Sequence, residues 1–325
     1  MGQVQRAGPG RGGGRGALPG LDLGAGVGIA ASWIKQSVST ATWSAYAKVW
    51  KEWLELGAEA GVVSGGPEER LQVIYFVARN MELGVSVSSI EKKLAGLAFF
   101  FKLVGGVDWT KDFWVKQALK GYRKGRKVQD NRRPVSFSNL VGIREALDGV
   151  CTGQYECLLF AAAFSLAFYG AFRISELVSP SRMRAGGLMR EDVWISEDKV
   201  GIRLRRSKTD QSGGGVDVVL FSLPGARVCP VASLKAFLGV RPEGGGPLLR
   251  HEDGSFLSKF QFVAVFRRCL QEMGLDKSEF SSHSFRIGAA TEAARCRMNE
   301  AAVRKIGRWE SRRFRSYVRP QLVVS

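Results

Sequence analysis

Residues 281–320 read SSHSFRIGAATEAARCRMNEAAVRKIGRWESRRFRSYVRP and hold a dense set of groups able to act on an anion. His283 and Arg286 stand three apart, so a helix capped by Ser281 or Ser282 carries both on one face of its first turn. That turn has free backbone N–H donors and the positive end of the helix dipole, which favour negative charge. A guanidinium fork matches phosphate oxygens and stays ionised, whereas an imidazole can move a proton. Gly288, Ala289, Ala290, Ala293 and Ala294 continue the helix; Asn299 caps a second one that Gly307 ends. Trp309 then offers an indole N–H, and Tyr317 a phenol eight residues later. Ten Lys or Arg against three Glu between Arg286 and Arg319 make this a phosphate-facing surface.

Two further groups lie upstream. Arg173-Ile-Ser-Glu176-Leu follows the apolar run LLFAAAFSLAFYG, and Ser207-Lys208-Thr209-Asp210 lies between two alternating segments. Singly, each has an ordinary reading: an Arg–Glu pair at i,i+3 is common on helices, and a hairpin lysine is usually solvated. The ordered set His283-Ser-Phe-Arg286, Gly307-Arg-Trp309 and Tyr317 does not. It resembles the C-terminal box of the tyrosine recombinases, the phage-integrase family, and Arg173 to Leu177 is similar to that family's first catalytic box. The strings HSFRIGAAT and GRW…F…YVR are similar above all to recombinases of DIRS-type retrotransposons and Crypton-like elements.

The resemblance covers roughly residues 35–320 and fills every expected catalytic position: Arg173, Lys208, His283, Arg286, Trp309 and Tyr317, with Glu176 in support. It implies cleavage of a phosphodiester by Tyr317, leaving a 3′-phosphotyrosine, with neither ATP nor metal as cofactor. Arg173 and Arg286 would grip the scissile phosphate, Trp309 would donate to the same oxygens, and Lys208 would protonate the 5′-oxygen. His283 remains as acid/base partner of Tyr317. A free tyrosine titrates near pH ~10, so the cationic cluster must favour the phenolate. Double-stranded DNA and a homo-tetramer on paired sites are the implied partners. Two rival functions share the fold: a domesticated DNA-binding protein without recombination, and DNA relaxation of the type IB topoisomerase kind.

The elements that must position these groups follow from periodicity. Residues 1–30 form a Gly/Arg-rich leader that cannot bury a core. Residues 31–119 read as a helical domain. Trp43, Tyr46, Trp50 and Trp53 form one stripe, Leu71, Ile74, Tyr75 and Val77 face inward on a helix over 67–83, and Ser88 or Ser89 caps a third helix. A fourth helix covers 109–122. This domain resembles the SAM-like core-binding lobe of the same recombinases. Residues 120–134 form a basic linker whose Lys120, Arg123, Lys124, Arg126, Lys127, Arg132 and Arg133 are expected to lie along DNA phosphates, joined by Arg312, Arg313 and Arg315. Residues 135–325 make the second domain: helices over 136–147, 154–170, 230–238 and 258–273, and strands over 192–195, 200–205 and 216–222. The fold class is mainly α with a small β-sheet, a core-binding domain followed by a mixed α/β integrase-type catalytic domain. His251, in a Gly-rich loop, matches nothing in the pattern and reads as exposed. The apolar Leu322, Val323 and Val324 suit a short strand added to a sheet edge.

Composition limits the alternatives. The 325 residues carry a net charge of +18, with +9 in residues 1–134 and +9 in 135–325, so two equally basic halves suit a clamp on a polyanion. Five cysteines without CxxC spacing and only two histidines argue against zinc and for reduced thiols. No carboxylate cluster suits two-metal nuclease chemistry, and no Walker loop is present. No apolar run reaches membrane-spanning length and no signal peptide is visible, so no membrane partner and no secretion are expected. The expected location is the nucleus in a eukaryote and the cytoplasm otherwise.

Overall fold

The computed structural model describes residues 23–61, 66, 68–126, 130–205 and 214–320, with backbone alone for 23–27 and 313. Lys127, Lys208 and the strand expected near the C-terminus lie outside the described residues. The chain divides into two compact units, Met1–Gln129 and Asp130–Ser325.

The first unit is helical: α1 (Leu23–Gln36), α2 (Thr40–Ala60), α3 (Glu69–Glu82), α4 (Val87–Leu103) and α5 (Phe113–Gly125). Ser39, Ser86 and Asp112 start α2, α4 and α5 by accepting backbone N–H groups that the first turn leaves unpaired. Trp53, Val73, Phe76, Val77, Ile90, Leu97 and Phe101 form its core. Several expectations shift here. Helix α1 starts at Leu23, inside the predicted leader. Leu71 and Tyr75 are exposed, and Val73 and Phe76 take the inward positions. The buried row of α3 runs Glu69, Gln72, Val73, Phe76, Val77 and Asn80, and residues 71 and 75 fall off it at 100° per residue. Of the aromatic stripe only Trp53 is fully enclosed; Trp43 and Trp50 pack against Phe100 at the margin. The cap of α4 is Ser86, whose extended backbone (ψ 147°) precedes the helical turn holding Ser88 and Ser89. Helix α5 runs on to Gly125, so Lys120, Arg123 and Lys124 are helical rather than part of an irregular linker.

The second unit contains α6 (Phe137–Val150), α7 (Gln154–Tyr169), α8 (Ile174–Leu177), β1 (Val193–Ile195), β2 (Lys199–Leu204), β3 (Val216–Phe221), α9 (Pro230–Val240), α10 (Lys259–Glu272), α11 (Ser284–Arg295) and α12 (Glu300–Gly307). The sheet is antiparallel in the order β1-β2-β3, with Val193 opposite Ile202 and Leu204 opposite Val216. Helix α7 is apolar on all sides and buried along nearly its whole length, as a central helix must be. Its Phe164 meets Phe262 and Phe266 of α10 and Phe285 of α11, with ring centroids 4.9, 6.0 and 5.6 Å away.

Phe285, between His283 and Arg286, therefore anchors the start of α11 in the core. One turn on, Gly288 lies against the Val135 carbonyl so closely that a Cβ would sit 1.9 Å from its oxygen. His251 is buried, not exposed as its loop suggested: its Nδ1 lies 2.7 Å from Glu156 on α7, and that hydrogen bond raises the imidazole's pKa. Among the described residues no helix is long and apolar enough to cross a membrane, and no cluster of three His, Cys, Asp or Glu could hold a metal.

Candidate functional site

His283 occupies the cap position of α11, with its N–H donated to Ser281 Oγ at 3.2 Å. Arg286 follows on the same face and is fully enclosed. Its guanidinium donates from Nη1 to the Ala171 carbonyl and from Nη2 to the Gly307 carbonyl (3.0 Å). It lies over the rings of Trp309 (5.0 Å) and Tyr317 (5.6 Å). Tyr317 in turn places its hydroxyl 3.1 Å from His283 Nε2. Burial, then the charges of Arg132 and Arg286, depress the His283 pKa to about 4, so the imidazole is neutral at pH 7. In its Nδ1–H tautomer, Nε2 can accept the phenol proton.

The turn between α7 and α8 supplies the other half. Arg173 Nη1 donates to Glu176 Oε1 (2.6 Å), and the Arg173 backbone N–H donates to Oε2 (2.9 Å). Arg308 reaches the same Oε2 at 2.9 Å. Burial alone would raise the Glu176 pKa, but Arg308 and then Arg173 hold it below the usual carboxylate range. Burial and repulsion from Arg173 and Arg308 lower Arg286 to about 10, which still leaves it charged at neutral pH. Three guanidiniums thus gather around one bridging carboxylate, an excess of buried positive charge that an anion would offset. The buried donors Arg286 Nε, Arg308 Nε and Trp309 Nε1 have no hydrogen-bond partner, so the site also has unfilled demand for acceptors.

The short helix α12 turns the chain into this site. Asn299 caps it and Gly307 is its last residue, both as expected, and the left-handed residue that follows is Arg308 (φ 54°). Gly307 is required for space: a Cβ there would lie 2.1 Å from the Trp309 ring. Trp309 is buried with Ala290, Ala293, Val303 and Phe314, and Tyr317 packs on that cluster.

Of the residues singled out by sequence, the structure brings Arg173, Glu176, His283, Arg286, Trp309 and Tyr317 together. Arg173 keeps the more open side chain, 20% exposed, whereas Arg286 is fully enclosed. Lys120, Lys124 and Arg312 are exposed. Arg123 pairs with Glu91, Arg126 folds over Tyr122, Arg133 pairs with Glu279 and Arg315 with Glu300. Exposed ion pairs contribute little, so phosphates could displace these partners readily.

Sequence reasoning missed Arg308 and a clasp behind the tyrosine. Arg319 donates to Asp130 Oδ2 (2.9 Å) and to the Arg132 carbonyl (3.2 Å), and Asp130 also holds the Arg132 guanidinium (2.7 Å). Arg132, then Arg319, bring the Asp130 pKa down to about 2. The carboxylates that Arg308 and Arg319 reach, Glu176 and Asp130, lie 132 and 189 positions away in the chain, so no local spacing marks the pairs.

No protein-family model matches the chain. A curated integrase/recombinase xerD homolog from Selenomonas ruminantium is 29% identical over 192 residues, covering 57% of this chain. The chain spans about half, 53%, of that relative's length. Among solved structures, XerH recombinase bound to its difH substrate in a pre-cleavage complex superposes with a TM-score of 0.60 at 14% identity, covering 85% of this chain and 75% of that one. A λ integrase (75–356) dimer bound to a COC′ core site gives 0.59 at 14% identity, covering 91% and 93%. The Tn1549 transposon integrase in complex with circular intermediate DNA gives 0.56 at 16% identity, covering 90% and 94%. The fold is that of the λ-integrase-type tyrosine recombinases, and over 192 residues the sequence is similar to the xerD homolog.

Proposed function

We propose that this protein is a site-specific recombinase that cuts and rejoins double-stranded DNA through a 3′-phosphotyrosine. The observation that carries this reading is the hydrogen bond between Tyr317 Oη and a neutral His283, set against the Arg173, Arg286 and Arg308 guanidiniums. A nucleophile with a base in reach and cations for the developing phosphorane charge is what transesterification at phosphorus requires. Arg173, Arg286 and the Trp309 N–H receive the non-bridging oxygens, His283 takes the Tyr317 proton as its oxygen attacks phosphorus, and Lys208 protonates the leaving 5′-oxygen. No step in this scheme calls for ATP or a metal. Bond energy is kept in the phosphotyrosine, and attack by a free 5′-hydroxyl reverses the chemistry.

The finer reading is a recombinase of the DIRS-type or Crypton-like kind, supported by HSFRIGAAT and GRW…F…YVR. It works as a homo-tetramer on paired sites, in the nucleus if its host is a eukaryote and in the cytoplasm otherwise. Residues 31–119 serve as its core-binding domain, 120–134 as linker and 135–325 as catalytic domain.

A nicked suicide duplex tests this. The wild-type chain is expected to form a covalent protein–DNA adduct. Tyr317→Phe is expected to form none while retaining nearly full DNA affinity, since the hydroxyl is a nucleophile rather than an anchor. Sequence-specific binding without an adduct would instead assign a DNA-binding protein. Plasmid relaxation without recombinant product would assign a topoisomerase.

A further inference from the structure

Arg308 belongs to none of the positions that the sequence pattern assigns to chemistry, yet its terminal nitrogens are both engaged. Nη1 donates to the carbonyls of Gly170 (2.9 Å) and Ile306 (3.5 Å). Nη2 donates to the Ala171 carbonyl (3.3 Å) and to Glu176 Oε2 (2.9 Å). The group lies over the Phe172 ring at 5.0 Å, and the side chain is only 9% exposed. With these donors turned to the protein, Arg308 is poorly placed to be a phosphate ligand itself. What it touches is the support of Arg173, because Glu176 accepts from Arg308 and from Arg173 at once.

The backbone makes the same point. Arg308 (φ 54°) and Ala171 (φ 41°) both adopt left-handed conformations that residues with a Cβ rarely take. They meet at the Ala171 carbonyl, which accepts from both Arg286 and Arg308. Unfavourable conformations persist only where the surroundings over-determine them, and here the surroundings are these hydrogen bonds. The turn at Arg308 also directs Trp309 onto the Arg286 guanidinium.

We propose that Arg308 is a positioning residue: by gripping Glu176 and the turn of Gly170 and Ala171, it fixes the Arg173 guanidinium toward an incoming phosphate and seats Trp309 against Arg286. The functional half of this proposal rests on the phosphotyrosine reading; the structural half does not. The charged groups facing Glu176 are Arg173 on its own turn, Arg308 after α12 and, farther away, Arg286 on α11.

The test is a double-mutant cycle of Arg308→Met and Glu176→Gln with two readouts. The first is thermal unfolding across pH. The gap in Tm between wild type and Arg308→Met is expected to narrow as acid protonates Glu176, because the attraction that the variant lacks then vanishes in wild type too. In the Glu176→Gln background the gap should be smaller and independent of pH. A gap unchanged by acid and by Glu176→Gln overturns the proposal without reference to activity. The second readout is single-turnover adduct formation. Arg308→Met should slow it about tenfold or more with DNA affinity little changed, and adding Glu176→Gln should cost less than the product of the single effects, as coupled neighbours do. Multiplicative losses, or a loss residing in affinity, would make Arg308 an independent DNA ligand and overturn it. Should Arg308→Met not fold, Arg308→Lys retains the charge without the fork. It should keep the wild-type pH dependence of stability yet still slow the adduct, and a wild-type rate overturns the proposal. If wild type itself forms no adduct, the recombinase reading fails, and the unfolding cycle still decides the grip on Glu176.

Discussion

Gly288→Ala sets helix propensity against packing, and the two predict opposite signs. Inside α11 the substitution should stabilise by about 0.8–1.0 kcal/mol on propensity alone. The structure reverses this. The new Cβ would lie 1.9 Å from the Val135 carbonyl oxygen and 3.2 Å from a Phe168 ring carbon. A backbone oxygen cannot rotate away as a flexible side chain could, so α11 and residue 135 must move apart. Overpacking of this kind costs about 1–3 kcal/mol. The separation also strains the Val135 N–H bond to the Ser284 carbonyl (3.0 Å), which contributes roughly 0.5–1.5 kcal/mol. Subtracting the propensity gain leaves a net loss of about 0.5–3.7 kcal/mol. At about 2–4 °C per kcal/mol for a unit of this size, Tm should fall by roughly 1–15 °C. Gly149→Ala on α6 is the control, since a Cβ at that position would meet nothing within 4 Å; it should hold Tm level or raise it slightly. The assay is thermal unfolding by circular dichroism beside adduct formation, which should also fall because His283 and Arg286 ride on the displaced turn. A Gly288→Ala protein as stable as wild type would refute the packing argument.

Other expectations concern charge and the indole. The two histidines should act on stability in opposite directions. His283, depressed to about 4, stays neutral in the fold while the unfolded chain takes up a proton below about pH 6.5. Stability therefore falls as pH drops from about 6.5 toward 4, and His283→Gln should blunt that loss in a pH series of denaturant melts. His251, raised by Glu156, contributes stability below about pH 6.5 that is lost as pH rises through its folded pKa, so His251→Gln should flatten the neutral-to-alkaline side. DNA affinity should fall with salt at a log–log slope of about −0.9 per phosphate neutralised, measured by fluorescence anisotropy. A flat salt response would contradict phosphate binding by the basic surface. Trp309→Ala should lower stability by about 3–5 kcal/mol through the cavity it leaves, whereas Trp309→Phe should cost much less and isolate the indole N–H, read as adduct rate.

The sequence alone determined the local architecture and the chemical vocabulary. Caps and apolar periodicity act within a few residues, so Ser136 before α6, Asn299 before α12 and the three strands were legible without a structure. The same is true of His283 and Arg286 sharing one face, since three residues along a helix leave no other choice. Local signals placed the core face of α3 and the start of α1 less well, because neither is decided within the helix itself. Tertiary structure alone decided how charges pair and which groups water reaches. His251 is buried because Glu156 lies across from it, and Arg286 is enclosed because carbonyls from residues 171 and 307 converge on it. Arg308 meets Glu176 across 132 positions of chain, and Arg319 meets Asp130 across 189. Such pairings depend on how the helices pack, and no spacing along the chain encodes them; the position of the tyrosine was written in the sequence, and the base and cations that surround it were assembled by the fold.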